Sequence, residues 1–206
     1  MPCSLEDSLG VLTKYQLDRI RIDSEIEGLS HLRKQELIDS LVSALPDRVS
    51  DHFMTFDSER YALARRIVDN NGYVTGVSLP LNKAEYLKHA GLFVFGKKDG
   101  KPALGMPGEF INAFLQCEQA GLGDQVKLNT ELIQLTHGLL YYYGVLNLKQ
   151  AHEFICSLTR ANVDYSHYAL LIKDISEYHE GISLRLDRIW DSRVFDVDKL
   201  QAAQDA

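Results

Sequence analysis

Residues 92–106 constrain the fold more than any other part of the chain. They read as a strand, Leu92-Phe93-Val94-Phe95, a basic turn, Gly96-Lys97-Lys98-Asp99-Gly100-Lys101, and a return strand over residues 103–106. Asp-Gly between two extended runs marks a two-residue hairpin turn, because both central positions need a positive φ. Such a hairpin must bury one face, and the surrounding sequence supplies helices to bury it. Ser58 caps a helix through Asn70, with Tyr61, Leu63, Ala64, Ile67 and Val68 available to a core. Asn70-Asn71-Gly72 ends it, and residues 73–79 are β-prone and uncharged. Asn82 caps a short helix over residues 83–90, Gly91 stops it, and Pro107 starts another carrying Phe110, Ile111, Phe114 and Leu115.

The flanking blocks are helical. Thr13 caps a helix over residues 14–22, and a polar stretch ending at Gly28 forms an extended connector. Ser30 caps the next helix, whose apolar positions Leu32, Leu37, Ile38, Leu41, Val42 and Leu45 recur at helical spacing until Pro46 closes it. Ala120-Gly121-Leu122-Gly123-Asp124 marks a boundary. Beyond it, one buried helix ends at Gly144, and Asn147 caps a second over residues 148–159. Asp164 or Ser166 caps a third through His179, residues 182–188 form a strand, and Asp196 caps a last short helix. The expected fold class is mainly α with small β wings (α+β). Its domains are residues 1–46, 47–122 and 124–206.

The run Ile26-Glu27-Gly28-Leu29-Ser30-His31-Leu32-Arg33-Lys34-Gln35-Glu36-Leu37-Ile38 resembles the helix-extension-helix module at the start of bacterial transcription termination factor Rho, a form shared by SAP-type domains. The resemblance covers residues 5–45 and implies a small accessory to nucleic-acid proteins, with Arg33 and Lys34 facing phosphate at a helix start. The sequence departs from a strong binder by placing Asp23, Glu25 and Glu27 in the connector. Tyr86-Leu87-Lys88-His89-Ala90-Gly91-Leu92-Phe93-Val94-Phe95, followed by Met106-Pro107, resembles the helix-plus-wing segment of winged-helix-like domains. Together the two segments resemble a group of uncharacterised bacterial proteins, some of which carry a SecA-type cysteine-rich metal tail that is absent here. Residues 138–146 and the helix after them repeat the order of the second block, which allows a second winged-helix-like unit without any residue-level repeat.

Charge narrows the partner classes. The chain of 206 residues carries a formal net charge of −7. It is unevenly spread: −5 over residues 1–60, +2 over residues 61–123 and −4 over residues 124–206. A generic polyanion binder needs a broad basic face, because phosphate neutralisation drives its affinity. Only the middle block can meet phosphate without repulsion. There the resemblance makes Lys83 and Lys88 part of a recognition helix, and Lys97, Lys98 and Lys101 a wing gripping phosphate. Lysines on an exposed hairpin equally well solubilise it and block edge pairing.

Catalytic and metal signatures are weak. Gly91–Lys98 matches most of a P-loop, but Lys98 replaces the metal-binding hydroxyl and the intervening residues are bulky. His152 and Cys156 are four apart, two ligands where zinc needs at least three. Glu177 and Glu180 are one turn apart near His167 and His179, with no nucleophile beside them. Tyr141-Tyr142-Tyr143 offers rings for base stacking, at least one of them assigned to the core, and Trp190 beside Arg188 and Arg193 offers an anchor for a partner. Three cysteines in no CxxC, an acidic N-terminus and no membrane-length apolar run lead to the expectation of a disulfide-free cytoplasmic chain. No cofactor, metal or catalytic residue is expected. Two functions remain open: a non-catalytic module contacting DNA or RNA weakly through helix 83–90 and the 96–101 wing, or a protein–protein adaptor. Oligomeric state is not set by the sequence.

Overall fold

The computed structural model describes residues 4–160 and 162–204. It is mainly helical, with two small three-stranded antiparallel sheets, as the sequence pattern predicts. The chain divides into two compact units, with the boundary after Gly123.

The first unit begins with α1 (Leu5–Gly10), which the sequence reading does not anticipate, and α2 (Lys14–Asp23), capped by Thr13 as expected. Next comes α3 (Lys34–Met54), capped from Arg33 and not from Ser30; the Arg33 N–H donates to the Glu36 carboxylate at 2.8 Å. This helix does not end at Pro46. An internal proline costs about 3 kcal/mol, but continuing the helix buries Val49 and Phe53 in line with Leu41 and Leu45, which is worth about 1.5–3 kcal/mol per side chain. Burial outweighs the lost backbone bond. As a result α3 crosses position 46, where the sequence suggests a break, and packs against both α1 and α6 (Gly108–Gln119).

Between these helices lie α4 (Ser58–Asp69), β1 (Tyr73–Thr75), α5 (Leu81–His89), β2 (Val94–Lys98) and β3 (Lys101–Gly105). Asp57, not Ser58, caps α4, its Oδ1 accepting from the Arg60 N–H at 3.1 Å. Pro80, not Asn82, occupies the cap of α5, where its carbonyl accepts the Ala84 N–H. The β-prone run 73–79 yields only three strand residues, and β2 starts two residues later than the pattern suggests. The strand order is β1-β3-β2. Phe53, Phe56, Phe110 and Phe114 are buried together, with edge-to-face contacts of 5.4 and 5.3 Å centred on Phe53.

The second unit contains all but the first two residues of α7 (Leu122–Tyr143), then β4 (Val145–Asn147), α8 (Leu148–Thr159), α9 (Tyr165–Tyr178), β5 (Ile182–Arg185), β6 (Arg188–Asp191) and α10 (Val197–Gln204). Asn147 and Asp164 cap α8 and α9 as expected. The single strand expected over residues 182–188 is instead a hairpin turning at Leu186 and Asp187. Leu186 has φ 57°, a conformation leucine rarely adopts, so no turn signal precedes it. The turn is held from outside: the Asp187 carbonyl accepts from Leu148 N–H and its carboxylate from Asn147 Nδ2. Strand order is β4-β6-β5, the topology of the first sheet. Leu132, Leu140, Ile155, Leu171, Ile175 and Ile189 form the core of this unit.

Candidate binding surface around the first hairpin

Asp99 and Gly100 turn the β2–β3 hairpin with φ 51° and 76°, the two positive angles its sequence predicts. Lys98 pairs with Lys101 and Lys97 with Pro102. Alternation therefore places Lys98 and Lys101 on one face and Lys97 on the other. Lys98 Nζ lies over the Tyr73 ring, 5.6 Å from its centroid, which occupies part of its charge within the fold. Lys97 and Lys101 are exposed.

The remaining basic positions do not extend this into a continuous stripe. Lys83 Nζ is 2.6 Å from both carboxylate oxygens of Glu59, and its side chain is only 16% exposed. Lys34 Nζ donates to the Gly10 carbonyl at 2.9 Å, tying the start of α3 to the α1–α2 corner. Arg33 and Lys88 are exposed, but Glu85 is exposed on the same short helix as Lys88. Of the seven predicted positions, the structure brings Lys97, Lys98 and Lys101 together at the hairpin end and commits Lys34, Lys83 and Lys98 to contacts inside the chain.

Apolar surface is what sequence reasoning missed. Phe95 sits on the face of the hairpin shared by Val74 and Leu104, yet it remains 40% exposed. It lines two grooves. One, of about 240 Å³, runs between β2 and the α1–α2 corner, with Leu9, Val11 and Leu12 on one wall and Lys88 at its side. The other, of about 420 Å³, is walled by Val77, Leu79, Pro102 and Leu104. Leu81, at the start of α5, is 75% exposed. The available signal was an aromatic residue in a strand directly before a Gly-Lys-Lys turn, where too little chain follows to cover it.

In the second unit all three residues of the tyrosine run are exposed, correcting the expectation that at least one is core; Tyr141 and Tyr142 are 73% and 81% exposed. Phe154 stacks on Tyr143 with centroids 5.5 Å apart, and Leu158 continues the same side of α8. Arg193 lies 4.8 Å over Tyr141 while its guanidinium holds both Asp191 oxygens, at 2.8 and 2.7 Å. Those bonds from Arg193 pull the Asp191 carboxyl down to about 2. Trp190 is half-buried in β6, paired with Val145, so it belongs to the sheet.

His152 and Cys156 do come together, Nε2 to Sγ 3.5 Å, but not as a nucleophile and its base. His152 Nε2 is also 2.7 Å from the Val163 carbonyl, which can only accept, so that nitrogen carries the proton and cannot take one from the thiol. His167 Nε2 lies 2.8 Å from Asn129 Oδ1 and 3.0 Å from Gln125 Nε2, a polar network beside buried Asn129. Burial lowers the pKa of His167, with Asp164 opposing, and burial followed by His179 lowers that of His137, with Asp191 opposing. Glu177 and Glu180 are exposed. Among the described residues no helix is long and apolar enough to cross a membrane. No protein-family model, curated protein or solved structure matches the chain.

Proposed function

We propose that the chain is a non-catalytic protein-interaction adaptor, and that the first hairpin is its principal docking element. The observation that carries this reading is the surface around Phe95: two apolar grooves share one half-exposed aromatic ring at the point where a polyanion grip would need unpaired cations. Lys83 and Lys98, two of the five lysines assigned to such a grip, are instead engaged with Glu59 and Tyr73. The element order α4–β1–α5–β2–β3, the related order α7–β4–α8–α9–β5–β6 and the common strand order of the two sheets support a winged-helix-like reading of both units. A helix, an extended connector and a longer helix in α2–α3 support the Rho-like reading of the N-terminal segment.

Exposed Arg33, Lys88, Lys97 and Lys101 favour the second reading, a weak nucleic-acid contact. Three or four phosphate contacts give an affinity that collapses as salt rises. The two readings separate on duplex DNA and single-stranded RNA binding measured across a salt series, for wild type and for the Lys97→Ala/Lys98→Ala/Lys101→Ala triple variant. The adaptor reading predicts no binding at low salt that the triple variant weakens.

A further inference from the structure

We infer that the outer edge of β2 is a strand-addition site for an extended, acidic segment of a partner protein, a conclusion that rests on the adaptor reading above. Among the described residues β2 is an edge strand of its sheet, bonded to β3 on one side only. With a two-residue turn, the pairs Lys98–Lys101, Gly96–Ala103 and Val94–Gly105 exchange the ladder bonds, so the N–H and C=O groups of Phe95 and Lys97 point outward. The far side of the hairpin is consistent with this register. Pro102, opposite Lys97, has no N–H to offer, and its carbonyl accepts from Gly76 on the β1 side. The β2 edge opens onto the groove whose other wall is Leu9, Val11 and Leu12. An incoming strand would pair its backbone with Phe95 and Lys97 and set alternate apolar side chains against that wall.

Charge identifies the occupant. Lys88 is the one charged side chain among the described residues lining this groove, and Lys97 stands on the edge itself. Carboxylates on the added strand face these lysines with no acidic side chain lining the groove to oppose them. Lys97 and Lys98 act against a second copy of this chain, because pairing two β2 edges would put two exposed or half-exposed lysines of each copy into one shared sheet. The site therefore selects a different, acidic strand.

The test uses the full chain and fluorescein-labelled ten-residue peptides with valine at alternate positions and Asp, Asn or Lys between them. Fluorescence anisotropy should show the Asp peptide binding about tenfold tighter than the Lys peptide, about 1.4 kcal/mol, with Lys88→Glu reversing the order. Lys97→Pro removes an outward donor without touching the bonds to β3, and should weaken the Asp peptide about fivefold relative to Lys97→Ala, the effect of one hydrogen bond. Peptides N-methylated at every second residue supply a readout independent of the variants' folding: one parity should abolish binding and the other preserve it. Absence of Asp-peptide binding to the wild type would overturn the site. Binding that ignores Lys97→Pro, Lys88→Glu and N-methyl parity would overturn the site and leave the adaptor reading standing. Displacement of the peptide by duplex DNA would overturn both.

Discussion

Arg60 is fully buried, yet it is among the best-satisfied side chains in the molecule. Its Nε donates to Asp57 at 3.0 Å, Nη1 to the Tyr86 hydroxyl at 3.0 Å and Nη2 to the Thr55 carbonyl, while the rings of Phe56 and Tyr86 flank the guanidinium. Through Tyr86 it fixes α5 against the α3–α4 corner, so one residue positions the helix that supplies Lys88. Arg60→Met breaks the buried ion pair with Asp57 and should cost about 3–5 kcal/mol; Tyr86→Phe should cost about 1–3 kcal/mol. Urea unfolding measures both, and a neutral Tyr86→Phe would contradict the assigned role. None of this was legible beforehand, since Asp57-x-x-Arg60 looks like a solvated pair and burial depends on residues far along the chain. The half-buried histidines add a pH signature. His137 and His167 both titrate below their ordinary value because burial disfavours the cation. Their unfolded forms therefore take up protons first, so stability should hold above pH about 6.5 and fall on acidification below it. His167→Gln should flatten that slope in thermal melts followed from pH 7 to pH 5, values bracketing the histidine range; an unchanged slope would contradict the buried-neutral assignment.

At the scale of elements, several signals carried by local backbone chemistry were readable, although Ser30, Ser58 and Asn82 are not the caps, and those carried by packing were not. Asp99-Gly100 announces its turn because positive φ restricts the residue choice, and Thr13, Asn147 and Asp164 announce helix starts because their side chains cap the N–H groups beyond them. Pro46 misleads because its local cost is real but smaller than the burial of Val49 and Phe53. The Leu186 turn is silent because its support comes from Asn147 and Leu148, forty residues away. Gly91 joins both levels. Its φ of 69° ends α5, and a Cβ there would lie 3.0 Å from Ile20 on α2. Gly91→Ala should cost at least about 1–2 kcal/mol for the left-handed backbone alone, plus the clash. Adding Ile20→Ala removes all three crowding carbons of Ile20, so the double variant should be more stable than the sum of the two singles. Strict additivity would show that α2 and α5 do not meet there.

For the whole molecule, the net charge of −7 alone excludes little, because its distribution leaves one positively biased block between two acidic ones. The structure decides what that block can do. Two of its cations, Lys83 and Lys98, are engaged by Glu59 and Tyr73, and its apolar residues collect around Phe95. The sequence could locate the hairpin and its lysines, but not the grooves, which need three distant segments to converge on one ring. The exposed tyrosines and Phe154 give the second unit an apolar face of its own. The most direct measurement is the affinity of the intact chain for duplex DNA and single-stranded RNA at decreasing salt, with the triple lysine variant beside it. The account predicts negligible binding that the variant does not change. Binding that strengthens steeply as salt falls and is lost with Lys97, Lys98 and Lys101 would contradict it.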